Sequence, residues 1–246
     1  MNSFNYPIYI MHYSKNHKRK SLLSKILEKE GYCPEDVHWI EDFDRESITY
    51  QQFITHFSAH HLEWQNRGYR EFYPHYPLKP EEVSLTMKHL YAMSLFAFHN
   101  EFKLGLFLED DAILDNEFFV KLGARLDVLP EDFDVAFIGR GCKEGLDNVG
   151  SVWYENQTDR NTDSMIFSQK FCHRFLQHVR TNKVCFPIDH ELNYFFKKDN
   201  SKVYWLNDPL VTQGSHLGVF DSFQDAHSRY LNKNLPIRND LEELLE

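Results

Sequence analysis

At 246 residues the chain fits one domain, or one domain carrying an insertion. A net charge of −10 argues against general nucleic-acid binding, and no stretch approaches the roughly 18 consecutive apolar residues of a membrane span. The four cysteines, at 33, 142, 172 and 185, form no C-x-x-C pair, which excludes a zinc ribbon or a thioredoxin-like motif.

The apolar run 7–11 reads as a buried strand and is too short for a signal-peptide core. A cytoplasmic protein with free thiols is therefore expected, and any membrane association would be peripheral. A basic stretch follows, then Leu22, Leu23, Ile26 and Leu27 at helical spacing, giving a strand–turn–helix opening. Residues 37–40 read as a second strand. The segment 42–80 is rich in aromatic, His and Gln residues and ends in Pro74, Pro77 and Pro80. It reads as an insertion with one or two short helices, on the acceptor side of any site. His56 and His60 stand four apart, but no Glu completes an H-E-x-x-H pattern, so a polar helix face is the better reading.

Pro80 starts a well-populated apolar helix over 81–98. Residues 104–108 form a continuous apolar run, the mark of a strand buried on both faces, and it stops abruptly at Glu109, Asp110 and Asp111. A helix is predicted over 118–126 and a strand over 133–138, followed by Gly139 and Gly141. A strand at 164–167 leads into a helix over 169–179; Pro187 precedes a helix over 188–197; 203–206 is a last short strand. The acidic tail, 238–246, reads as a frayed helix. Strands alternate with helices throughout, which predicts a single α/β domain: a mostly parallel central sheet with helices on both faces. Ligands in such sheets bind beyond the carboxyl ends of strands, where the triplet stands.

Three carboxylates between two apolar runs repel one another unless a cation compensates. Their oxygens are hard ligands suited to Mn²⁺ or Mg²⁺. Residues i and i+2 share a side of an extended backbone, so Glu109 and Asp111 can face a metal together while Asp110 points elsewhere. A surface turn with Asp111 capping the next helix is an equal reading of the triplet alone.

The stretch 106–114 resembles the LEDD signature of glycosyltransferase family 25, which includes lipooligosaccharide and procollagen galactosyltransferases. Further similarities run in order over roughly 7–220. Ile8-Tyr9-Ile10-Met11 with Lys18-Arg19 is similar to the family's opening, and 82–89, ending in His89, to the segment preceding its helix. Val135-Ala136-Phe137-Ile138-Gly139 looks like its DxxxLG strand, 187–192 like its PxDxxL segment, and 209–213 like its closing PxxxQ strand. The resemblance implies a GT-A fold, Mn²⁺ dependence, a UDP-sugar donor (galactose first) and inversion at the anomeric carbon. A glycan hydroxyl in cell-surface lipooligosaccharide or polysaccharide assembly is the implied acceptor, with a protein hydroxylysine as the alternative.

The leaving diphosphate then calls for a metal and the acceptor hydroxyl for a base. Asp189, at a helix start where the dipole favours its ionised form, is the candidate base; Glu191 is the substitute, and Asn193 lies one turn on. His216, in a small-residue loop after the last strand, resembles the late-loop metal ligand of GT-A enzymes and would join Glu109 and Asp111. Tyr13, Ser14, Arg19, Lys88, His89, Asp110 and Asn193 are candidate donor contacts, and Arg140 is a further cation placed to meet phosphate. A catalytically inactive binding protein of the same fold is the main alternative. A D-x-D phosphohydrolase fits poorly, because the first strand carries no Asp.

Overall fold

The computed structural model describes residues 5–33, 36–58, 78–99, 101–139, 151–157, 162–220 and 238–245. They hold nine strands and seven helices, with two helices or two strands in direct succession at several points. In chain order they are β1 (Ile8–Met11), α1 (His17–Lys29), β2 (Val37–Ile40), α2 (Tyr50–His56), α3 (Pro80–Ala97), β3 (Leu104–Glu109), β4 (Ala112–Leu114), α4 (Phe118–Leu126), β5 (Val135–Phe137), β6 (Trp153–Glu155), β7 (Ser164–Ser168), α5 (Gln169–Asn182), α6 (Ile188–Asp199), β8 (Val203–Leu206), β9 (Val211–Gln213) and α7 (Leu241–Leu245). His60, His61, Arg140, Gly141 and Cys142 lie outside the described residues, as do residues 59–77 of the predicted insertion.

Seven strands form one sheet in the order β2-β1-β3-β7-β5-β8-β6. Strands β2, β1, β3, β5 and β8 run one way and β7 and β6 the other. The sheet is therefore mostly parallel, as the alternation predicts. Both faces are covered. Alternate side chains of β1 and β3 (Ile8, Ile10, Leu106, Leu108) meet α1 and α4, while Tyr9, Met11 and Phe107 meet α3, α5 and α6. This is the period-2 alternation of a strand buried on two sides.

Local chemistry sets the helix ends. Pro80 opens α3 at a position where its missing N–H is unneeded, and the Glu82 carboxylate accepts from Lys79 N at 2.7 Å. Ser168 Oγ accepts from Phe171 N to cap α5. The acidic tail is docked rather than frayed. Leu241 is buried, Lys29 pairs with Asp240 at 2.7 Å, and Lys25 Nζ donates to Leu244 O at 3.0 Å. The buried Arg238 reaches Glu30 at 2.9 Å, Asp240 at 2.7 Å and the Leu114 carbonyl at 3.1 Å. Among the described residues no helix is long and apolar enough to cross a membrane.

Candidate functional site

Strand β3 ends at Glu109 and β4 starts at Ala112, so the triplet makes the link between them. Strand β4 leaves the main sheet and pairs with β9 in a small second sheet, Ala112 opposite Gln213. That pairing brings the loop after β9 onto the triplet. Gly214 N donates to the Asp111 carbonyl at 2.7 Å and Ser215 N to Asp111 Oδ2 at 3.4 Å. The approach requires glycine at 214: a Cβ there would come within 2.7 Å of the Phe220 ring and 3.1 Å of the Asp111 carbonyl oxygen. His216 sits half-buried in this loop, its backbone N–H bonded to Gln213 O at 3.0 Å.

The carboxylates divide between two surroundings. Asp110 turns to the end of β1 and the start of α1. Its oxygens accept from His12 Nδ1 at 2.8 Å, Tyr13 N at 3.2 Å and Arg19 Nη1 at 2.8 Å. Burial alone would raise its pKa, but the His12 bond and the Arg19 charge together hold it below the usual value. Asp110, Arg19 and the Tyr13 backbone thus tie the triplet to β1 and α1.

Glu109 and Asp111 lie on the other side, with Asp163. Glu109 accepts from Thr162 Oγ1 at 2.8 Å, and its N–H donates to Asp163 O at 2.9 Å. Burial first, then the charges of Asp111, Asp163 and Asp110, push Glu109 up to about 8. Burial chiefly, with Asp111 adding, pushes Asp163 up to about 7. Asp111 is only 4% exposed, and its Oδ1 has no hydrogen-bond partner. Among the described residues no Lys, Arg or His pairs with Glu109, Asp111 or Asp163. Among those same residues, no three His, Cys, Asp or Glu groups stand close enough together to hold a metal by themselves.

The remaining candidates fall into two groups. Lys88 is buried and points its ammonium at the loop after β2, donating to Asp42 O at 2.7 Å and Asp44 Oδ1 at 2.8 Å. The same Asp44 carboxylate accepts from Ser14 N at 3.2 Å and Ser14 Oγ at 2.5 Å. Lys88 and Ser14 are thereby joined through a residue that carries no motif. Tyr13 Oη donates to Glu46 at 2.6 Å. His89 is fully buried on α3, neither ring nitrogen has a partner, and burial drops its pKa to about 3.

Helix α6 carries the second group. Glu191 is fully buried; it accepts from Cys185 N at 2.9 Å and Phe186 N at 3.3 Å, and faces His178 Nε2 at 3.3 Å. Those bonds fix the turn that enters the helix. Asp189, two residues earlier, is half-buried and accepts from His190 N at 2.9 Å. Burial raises its pKa, as does the charge of Glu82, against the opposing effect of His190. No hydrogen bond or ion pair joins Asp189 to the triplet. Asn193 is buried one turn further along. Chain pattern gives no signal for Asp163, Asp44 or Thr162: Asp44 meets Ser14 and Lys88, and Thr162 meets Glu109, across 30, 44 and 53 positions.

No protein-family model matches the chain, and no curated protein matches it either. Solved structures do show similarity. One is a glycosyltransferase involved in the glycosylation of the major capsid of PBCV-1, with TM-score 0.47, 13% identity, and coverage of 84% of this chain and 91% of that chain. Another is mouse xyloside xylosyltransferase 1 in its apo form, with TM-score 0.40, 10% identity, and coverage of 82% and 84%.

Proposed function

We propose that the chain is a metal-dependent glycosyltransferase that moves a sugar, galactose first, from a UDP-sugar to a hydroxyl of a glycan acceptor. The observation that carries this reading is the Asp111 carboxylate: buried, with an unpartnered Oδ1, at the end of a central strand and beside two further carboxylates. Such a group is costly unless a cation meets it. Mn²⁺ or Mg²⁺ in nucleotide sites is held by one or two carboxylates, with substrate phosphates and water completing the shell. The donor set fits that arrangement, which needs no three-ligand protein cage.

Asp111 would hold the ion, with Glu109 and His216 as neighbours that adjust around it. The ion would neutralise the leaving diphosphate. Asp110 keeps the triplet in register through His12, Tyr13 and Arg19, and Gly214 and Ser215 fix Asp111 from the opposite side. Asp189 is the proposed base: a half-buried carboxyl in the first turn of α6, with a pKa above its ordinary range, suits removal of a hydroxyl proton. Glu191, fully buried and bonded on both oxygens, holds that turn in place.

Calorimetric titration of a nucleotide-sugar panel tests the reading, first with Mn²⁺ and then with EDTA. Binding of one uridine-sugar only with metal is the expected result. Binding of no nucleotide under either condition would overturn it and leave a sugar-binding protein of the same fold.

A further inference from the structure

We propose that Asp163 is the second carboxylate ligand of the divalent cation at Asp111, held in place by the absence of a side chain at Gly139. The inference rests on the metal-dependent reading above and assigns that site a residue the sequence pattern does not mark.

Asp163 directly precedes β7, whose first residue, Ser164, pairs with Leu108 near the end of β3. The antiparallel register sets the start of one strand beside the end of the other, and the Glu109 N–H bond to Asp163 O locks that junction. Asp163 is 2% exposed. Its Oδ2 accepts from Ser164 Oγ at 3.1 Å. On the far side of β7 lies β5, and Gly139 follows its end. A Cβ built on Gly139 would sit 2.0 Å from Asp163 Oδ2 and 2.3 Å from Ser164 Oγ. The carboxylate therefore occupies the space in which any other residue's side chain would begin.

A second observation points to a ligand. The Asp111 Oδ1 atom is buried with no partner, and the Glu109 N–H bond to Asp163 O sets Asp163 beside the end of β3, two residues before Asp111. Two hard oxygen donors, unmatched by any described cation, form the carboxylate pair that Mn²⁺ or Mg²⁺ takes when phosphates supply the other ligands.

The experiment follows Mn²⁺ by electron paramagnetic resonance in the presence of uridine diphosphate, for the unaltered protein, Asp163→Asn and Gly139→Ala. The alanine methyl displaces the carboxylate without changing any charge. Both variants are expected to lose about tenfold or more in Mn²⁺ affinity; Asp163→Asn should melt in EDTA like the unaltered protein and Gly139→Ala somewhat lower, because its methyl overpacks the buried Asp163 and Ser164, and Asp163→Glu should recover part of the loss. If both bind Mn²⁺ with uridine diphosphate within about twofold of the unaltered protein, Asp163 is not a ligand and the metal-dependent reading still stands. If the unaltered protein binds no Mn²⁺ with uridine diphosphate, that reading falls and this inference falls with it. Should Asp163→Asn fail to fold, the Gly139→Ala result decides.

Discussion

Asp110 and Asp111 are adjacent, both buried and both acidic, yet their removal should change stability in opposite directions. Asp110→Ala takes away the partner of Arg19, a guanidinium with 8% side-chain exposure, along with the acceptor for His12 Nδ1 and Tyr13 N. Breaking a buried pair from one side leaves a charge uncompensated, at a cost of roughly 3–5 kcal/mol. For a chain of this size 1 kcal/mol moves the midpoint by about 2–4 °C, so Asp110→Ala should melt roughly 10 °C lower. Asp111→Asn removes the charge that helps push up the pKa of Glu109 and Asp163, and it costs no ion pair. Its metal-free melting point should stay level or rise by a few degrees, the usual direction when a functional charge cluster is relieved. With Mn²⁺ and uridine diphosphate at about 100 times their dissociation constant, the unaltered protein should gain about 2.7 kcal/mol. Asp111→Asn should gain nothing. Thermal melts of the three proteins in EDTA and in Mn²⁺ with uridine diphosphate give all six values. Asp111→Asn melting as low as Asp110→Ala in EDTA would refute the division between a structural and a ligand carboxylate.

Other outcomes follow from the same geometry. Asp189→Asn should retain donor binding in calorimetry while turnover falls about 10²-fold or more; near-normal turnover would move the base elsewhere. Glu191→Ala should unfold at distinctly lower denaturant, by about 3 kcal/mol, because Cys185 N, Phe186 N and His178 lose their acceptor in a dry interior. His89 is held neutral with a pKa near 3, so below its unfolded value the unfolded chain takes up a proton that the folded chain refuses. Stability from this group is present above about pH 6.5 and lost as pH falls, by about 2 kcal/mol at pH 5, and His89→Leu should flatten that acid limb in denaturant melts. Arg238→Ala should lower the melting midpoint with metal-dependent binding intact, since Arg238 bridges Glu30, Asp240 and the Leu114 carbonyl and bonds none of the cluster's carboxylates.

The strands of the main sheet were legible wherever an apolar run was continuous, as at 7–11, 104–108 and 164–167, and Pro80 and Pro187 marked two helix starts. Strand β6 was not legible: it has three residues, one of them exposed, too few for a period to show. Nor was the reversed direction of β7, because a strand buried on both faces has the same composition in either direction. From sequence the tail reads as frayed, because its run of Glu and Leu has no local cap. Its order comes from Arg238 meeting Glu30 across 208 positions. Asp163 was invisible for the same reason. Gly139 and Glu109 become its neighbours through the order β3-β7-β5, which no local pattern encodes.

That order also accounts for the two fates of the triplet. Strand β3 has a parallel neighbour, β1, on one side and an antiparallel one, β7, on the other. The parallel neighbour ends where β3 ends and runs on into a helix, so this flank supplies donors: His12, the Tyr13 N–H and, from α1, Arg19. The antiparallel neighbour begins there, and the residues at its start are Thr162, Asp163 and Ser164, with no charge to offer except a negative one. Asp110 and Asp111 form the turn that follows β3, and in that turn Asp110 faces the cationic flank while Glu109 and Asp111 stay with the anionic one. A charge balance completed by the protein on one flank and left open on the other is the electrostatic arrangement a bound divalent cation would complete.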